Sequence, residues 1–359
     1  MRIIGCDLHA AQQTIAMLDR DTGEIVERTL SHEGTTVRDF YTNLPPPIVV
    51  GIEATGSMRW FWRLMEELGV TCRVGDPAKI RQVETRRQKH DRRDAGLLLQ
   101  LLSEDRFPAI WMPPAELCEL RELVRHRDQW VRLRTRVKNA LQGLALAHGL
   151  RRRAGLWTQR GQATMAALPL APYASDRRSA LQALHEHLTT QIDALDQRVG
   201  EQARTRPQAR RLMTHPGVGP VTALATEVFV GDPSRFADAK ALASYVGLIP
   251  SEYSSGDRQR LGKLTKQGNP MLRCLWCEAA IHAVRRDAAL GRFFIAANCS
   301  RRDSAKHGSR SRGSSGSDSG FCYAIRSTTR SSAVAHPRPR RRGDACMRAC
   351  LCGDVVLES

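Results

Sequence analysis

The sequence predicts an α/β first domain built on a mixed sheet, then a long helical coiled-coil linker and a mainly α C-terminal domain. Three observations predict it. Three strand-length apolar segments come in succession, and helices and strands alternate after them. Ile48-Val49-Val50-Gly51-Ile52 is a continuous apolar run of the kind buried on both faces of a sheet. From Ala115 to about residue 205, apolar residues recur at helical spacing.

In chain order, Arg2–His9 reads as the first strand, Thr14–Leu18 as the second and Ile25–Leu30 as the third. The polar turn Asp19–Gly23 separates the last two, as in a meander. A helix over Thr36–Leu44 is broken by Pro45-Pro46-Pro47. Ile48–Glu53 is the fourth strand. Ser57–Leu68 is helical, with Trp60, Leu64 and Leu68 on one face, and Val70–Val74 returns as a strand. This order is the pattern of an RNase H-like mixed sheet. The expected divisions are residues 1–110 for this domain, 111–205 for the linker, 206–298 for the C-terminal domain and 299–359 for a low-complexity basic tail.

Asp7 ends the first strand and Glu53 the fourth. Asp91 and Asp94 open a later helix whose apolar run is Leu97-Leu98-Leu99 and Leu101-Leu102. Residues three apart share a helix face, so the two aspartates can address one spot. Their repulsion favours a positive charge between them. A hydrated divalent cation would serve, and so would the flanking arginines of a solvated helix start. In an RNase H-like sheet the first and fourth strands are neighbours, so the four acids can converge. Four hard oxygen donors suit two Mg²⁺ ions roughly 3.5–4 Å apart, which steady both oxygens of an in-line phosphoryl displacement. His9 and His90 stand beside these acids, as phosphate contacts or as ordinary structural histidines.

The net charge of +18 points to a polyanionic partner. From residue 300 onward there are 12 Lys/Arg against 5 Asp/Glu, so 11 of the excess positive charges precede the tail. Nucleic acid is the expected partner. No apolar run reaches the roughly 20 residues of a membrane span. The ten cysteines form no disulfide framework, as expected of reduced cytosolic thiols. Cys274 and Cys277 lie in an apolar helical run with no second pair nearby, which favours packed thiols over zinc.

Lys79, Arg81, Arg86 and Arg87 form an arm able to grip a phosphate backbone, or else a solvated helix face. The linker opens with a basic amphipathic helix carrying Leu117, Leu120, Val124, Val131, Val137, Leu141 and Leu144. A second helix has Leu181, Leu184, Leu188, Ile192, Leu195 and Val199 in a coiled-coil seam. An antiparallel pair or a dimerising bundle is expected. Arg151-Arg152-Arg153 at the hinge is another phosphate-compatible cluster, and the arginine faces of the helices are binding candidates. In the C-terminal domain, His215-Pro216-Gly217-Val218-Gly219-Pro220 is a Gly-rich turn opening an apolar helix. Such turns aim backbone N–H groups at phosphate. Any tight turn into a helix also needs glycine.

Cys6-Asp7-Leu8-His9, Glu53-Ala54-Thr55-Gly56 and Lys89-His90-Asp91-Arg92-Arg93-Asp94-Ala95 together resemble the signature of the DEDD transposases of bacterial insertion sequences. The resemblance covers roughly residues 1–298. It implies a RuvC-like N-terminal domain, metal-binding acids at Asp7, Glu53, Asp91 and Asp94, and a structured RNA from the element as guide. His90 stands where the family usually has Thr, which leaves the acids intact. The block from Ala241 to Arg273 resembles the same family's C-terminal transposase domain, which implies a nucleophilic serine at Ser255, with Ser254 adjacent. Lys263, Lys266 and Arg273 are then expected on backbone phosphates.

The resemblance implies an enzyme of the bacterial cytoplasm and nucleoid. It cuts and rejoins DNA with Mg²⁺ through a covalent serine–DNA intermediate, as a homodimer or homotetramer. A RuvC-like nuclease using metal-activated water on branched DNA is the first alternative, and a non-catalytic nucleic-acid scaffold the second. Family members usually end in a basic apolar helix, whereas this chain turns to Ser, Arg and Gly after about Asn298. A frameshift leaving a disordered tail is one reading and a native basic RNA-binding tail the other.

Overall fold

The computed structural model describes residues 1–83, 91–150, 155–253 and 260–292. The chain forms two compact units, Met1–Pro113 and Pro114 onward.

The first unit is built on strands β1 (Arg2–Leu8), β2 (Gln12–Asp19), β3 (Ile25–Ser31), β4 (Ile48–Glu53) and β5 (Thr71–Gly75). Their order across the sheet is β3-β2-β1-β4-β5. β1, β2 and β3 form an antiparallel meander, while β4 and β5 join parallel to β1 and to each other. The first and fourth strands are therefore neighbours, as the strand order required. One face is covered by α1 (Thr36–Thr42) and α2 (Arg59–Glu67), through Val37, Tyr41, Phe61, Leu64 and Met65. The other is covered by α3 (Pro77–Val83) and α4 (Asp91–Ser103), through Ile80, Ala95, Leu98, Leu99 and Leu102. With both faces covered, β4 is apolar along its length. Trp60 departs from its expected place. It is 40% exposed and stands edge-on to His32, because α2 turns Phe61, Trp62 and Met65 inward instead.

α4 is held directly on β1. A side chain at Gly5 would collide with the Ala95 carbonyl oxygen and the Leu99 backbone nitrogen, so only glycine lets the helix come this close. The direction of α4 follows from its far end. Ser103 accepts a bond from Arg20 Nη2 at 3.2 Å, and Arg20 follows Asp19, the partner of Arg2 at the start of β1. The first turn of α4 therefore lies toward the C-terminal end of β1, where Asp7 stands.

Among its described residues, the second unit is helical apart from one hairpin. α5 (Ala115–Ala147) and α7 (Pro172–Thr205) run antiparallel, with α6 (Gln159–Ala166) between them in sequence. They are followed by α8 (Pro207–Leu212), α9 (Pro220–Val230), α10 (Ala239–Val246), the strands β6 (Pro250–Glu252) and β7 (Leu261–Leu264), and α11 (Pro270–Arg286). Leu120 and Val124 of α5 and Val199 and Ala203 of α7 share one core with α8, α9, α10 and α11. The linker helices and the C-terminal helices thus pack as one body. The expected seam is interrupted at Leu184, which is 45% exposed. At that end Val137, Leu141 and Leu144 close with Leu188 on Met165 of α6, so a third helix takes over from a two-helix seam.

Among the described residues, no helix is long and apolar enough to cross a membrane.

Candidate active site

Asp7 and Glu53 reach the same place from different strands. The parallel register of β1 and β4 pairs Cys6 with Ile52, so Asp7 and Glu53 come next, level with each other. Cys6 and Ile52 are both buried in the core under α1 and α2. Side chains alternate along a strand, so the two acids lie on the opposite face, the one α4 covers. The side chains of Asp7 and Glu53 are 15% and 29% exposed. Asp94 is half-buried in the first turn of α4, directly before the buried Ala95 and one turn before Leu98. It continues the helix stripe that faces the sheet. Asp91 is the first residue of the same helix, and its side chain lies outside the described residues.

Each of these carboxylates has a nitrogen-bearing side chain beside it. His9 Nε2 is 3.1 Å from Asp7 Oδ2, and Arg81 Nη2 is 3.6 Å from Glu53 Oε1. The pair Asp7 and His9 was legible as an i, i+2 spacing across the end of β1, His9 lying one residue past it. The Arg81 contact was not, because it depends on where α3 lies. Cys6, beside Asp7, is no ligand candidate. Burial, with Cys72 and Asp7 nearby, pushes its thiol far above the ordinary range, so it stays protonated. Among the described residues, no three His, Cys, Asp or Glu side chains are gathered as a metal-binding cluster. The carboxylates nonetheless suit a hard divalent ion. They are oxygen donors on one face and partly exposed.

The basic residues divide. Lys79 and Arg81 are exposed on α3. Arg86, Arg87, Arg151, Arg152 and Arg153 lie outside the described residues, and so do Ser254 and Ser255, between β6 and β7 in sequence. Lys263 and Lys266 are exposed, Lys266 with a left-handed φ of 53° just before α11. Arg273 instead donates to the Val246 carbonyl at 3.1 Å, tying α11 to the end of α10. The arginine face of α5 is also largely engaged inside its own unit. Arg121 donates to the Val228 and Phe229 carbonyls at 2.7 and 3.2 Å, and Arg127 pairs with Asp196 at 2.7 Å. Spacing alone cannot tell a solvent-facing arginine from one that satisfies the carbonyls at a helix end.

Gly217 has a packing role. Its φ is +96°, and a side chain there would collide with the Ala279 carbonyl oxygen of α11. Gly219 precedes α9 with open space around it, so of the two only Gly219 leaves room for an approaching phosphate. Cys274 is exposed and Cys277 half-buried, so the expected pair of packed thiols holds for Cys277 alone.

Residues 4–148 match the family model of the IS110-type DEDD transposase domain, and residues 209–295 that of the IS116/IS110/IS902 transposase family. The chain is similar to a probable family 20 transposase of Pseudomonas aeruginosa, 31% identical over 292 residues, 79% of this chain and 84% of that one. It is similar to the transposase of insertion sequence element IS1111A of Coxiella burnetii, 26% identical over 235 residues, 64% of each. The transposase of element IS1328 of Yersinia enterocolitica is 25% identical over 236 residues, 66% of this chain and 70% of that one.

Proposed function

Since this chain belongs to the IS110/IS116/IS902 family of transposases, we propose that it cuts and rejoins DNA with Mg²⁺ held by Asp7, Glu53, Asp91 and Asp94, using Ser255 as nucleophile. The observation that carries this reading is the level placement of Asp7 and Glu53 on neighbouring parallel strands, beneath the start of α4. On this reading the first unit is an RNase H-like, RuvC-like catalytic domain. A bound pair of magnesium ions would supply charge stabilisation to the attacking and leaving oxygens.

Asp7 and Glu53 would be rigid ligands, because Asp7 is the penultimate residue of β1 and Glu53 the last of β4, and both strands are hydrogen-bonded to a neighbour on each side. Asp91 and Asp94 complete the set from one helix turn. The Ser255 hydroxyl oxygen bonds to phosphorus as the bond from phosphorus to the 3′ oxygen breaks. The serine proton is lost to solvent, the departing oxygen takes one up, and a 3′-hydroxyl is released. The 5′ phosphate stays on serine until another strand's 3′-hydroxyl reverses the step. The number of phosphodiester bonds is conserved, so rejoining needs no external energy source.

Lys79, Arg81, Arg86, Arg87, Arg151, Arg152, Arg153, Lys263 and Lys266 would hold the phosphate backbone of DNA or of a structured guide RNA from the element. The α5–α7 pair would be the surface on which copies of the chain meet, as a dimer or tetramer, on the bacterial nucleoid.

The test is trapping of the protein–DNA adduct. Ser254→Ala should still form it and Ser255→Ala should not. A Ser255→Ala protein that still cuts DNA would overturn the serine step in favour of water. RNA bound to the purified protein should come from the non-coding part of the element. Removing it with ribonuclease should abolish target choice, and unchanged targeting would overturn the guide.

A further inference from the structure

We infer that Arg81 is an exchangeable counter-ion, which occupies Glu53 when no metal is bound and passes to a polynucleotide phosphate when a divalent cation takes the carboxylate. This rests on the reading of Glu53 as a metal ligand. The juxtaposition behind it is Arg81 Nη2 at 3.6 Å from Glu53 Oε1, between the last turn of α3 and the end of β4.

The two partners are unlike. Glu53 is anchored in a central strand and 29% exposed, whereas the Arg81 side chain is 71% exposed on a short helix. An ion pair so exposed, at this distance, is weakly held. A structural tie would be shorter and drier, as at Arg206 Nε and Glu227 Oε1, 2.6 Å apart with Glu227 buried. A guanidinium and a divalent cation compete for the same carboxylate oxygen, so one must leave when the other arrives. The released guanidinium stays within a side-chain length of the site, with five N–H donors suited to a phosphate. Lys79, exposed on the same helix, points to the same anionic partner. The exchange would then couple the two charges: the protein gives up its own cation at Glu53 only when it gains one from solution, and the freed Arg81 helps hold the strand to be cut.

The test uses the full chain and two readouts that do not depend on strand cleavage. Mn²⁺ binding is followed by electron paramagnetic resonance of the free ion, without nucleic acid. Affinity for a short random-sequence DNA duplex is followed against salt, with Mn²⁺ present. Arg81→Gln should bind Mn²⁺ about two- to fivefold more tightly, because a competitor has gone. The slope of log affinity against log salt should become shallower by about 0.9, the loss of one phosphate contact. A structural Arg81 would move neither readout in this pairing. Mn²⁺ affinity that is unchanged or weaker in Arg81→Gln, while Glu53→Gln loses Mn²⁺, overturns the exchange and leaves the metal site standing. Tighter Mn²⁺ binding with an unchanged salt slope overturns the transfer to phosphate. Full Mn²⁺ affinity in Glu53→Gln removes the metal-ligand reading beneath it.

Discussion

Glu53 in the first unit and Glu227 in the second are the same side chain put to opposite uses. Glu227 lies on α9 and is 6% exposed. It accepts from Arg206 Nε at 2.6 Å and from the Ala209 backbone nitrogen at 2.9 Å, and Arg206 also pairs with Glu116. Three helices and the start of α8 are tied through that one carboxylate, and its oxygens are satisfied from within the protein. Glu53 ends a strand level with Asp7, and among the described residues its ion partner is the exposed Arg81. A carboxylate satisfied by buried donors holds a fold together, while one balanced by a solvent-facing cation remains open to exchange. Burial of an acid therefore says little about its role until its partners are named.

The comparison predicts effects that separate the two acids. The largest belongs to the strand ends. Glu53→Gln or Asp7→Asn should lower DNA strand cleavage by about 10³-fold or more, the loss of several kcal/mol of metal-assisted stabilisation. Thermal midpoints should hardly move, and chelation of divalent ions should mimic both variants. Cleavage by Asp7→Asn at the wild-type rate would break the contrast at once. Next in size is Glu227→Ala, which leaves Arg206 with Glu116 alone and takes the acceptor from the buried Ala209 N–H, and should cost about 2–3 kcal/mol of stability, read by denaturant unfolding. Wild-type stability there would mean that the ties around Glu227 contribute nothing.

Gly5→Ala sharpens the contrast further, since it joins packing to site geometry. The added carbon would push α4 off β1, costing about 1–3 kcal/mol by overpacking. Asp94 would move with the helix, so cleavage should fall more than the loss of folded protein accounts for. Equal losses of the two would show that α4 does not position the site.

The smallest effect is on pH dependence. His185 lies against Trp157 with ring centroids 5.0 Å apart. Burial first, then Lys138 and Arg134, lower its pKa below the ordinary histidine value. As pH falls, the unfolded chain takes up this proton first, near its unperturbed pKa of about 6.5. Stability is therefore whole above that pH and declines as pH drops through it toward the folded pKa. His185→Phe should flatten that decline in a series of thermal midpoints. An identical slope would place the acid sensitivity elsewhere.

Much of the first unit was legible in the residues. The three-strand meander follows from strand-length apolar segments and turn chemistry, and the fourth strand from its continuous apolar run. These signals carry information locally, over a few residues at a time. The helical unit was legible as helices but not as a packing scheme. Leu184 has seam spacing and is exposed, while Arg121 looks like a surface cation and caps α9. Helical periodicity marks a face without saying what meets it.

Alone, the sequence settled the order of strands and helices in the first unit and the basic charge, because composition and short-range spacing determine these. Tertiary structure decided which arginines are spent on carbonyls and carboxylates, that Gly217 serves α11, and that Arg81 meets Glu53. Each of those depends on contacts between residues distant in the chain, or on how closely two backbones approach, and such distances exist only once the chain has folded.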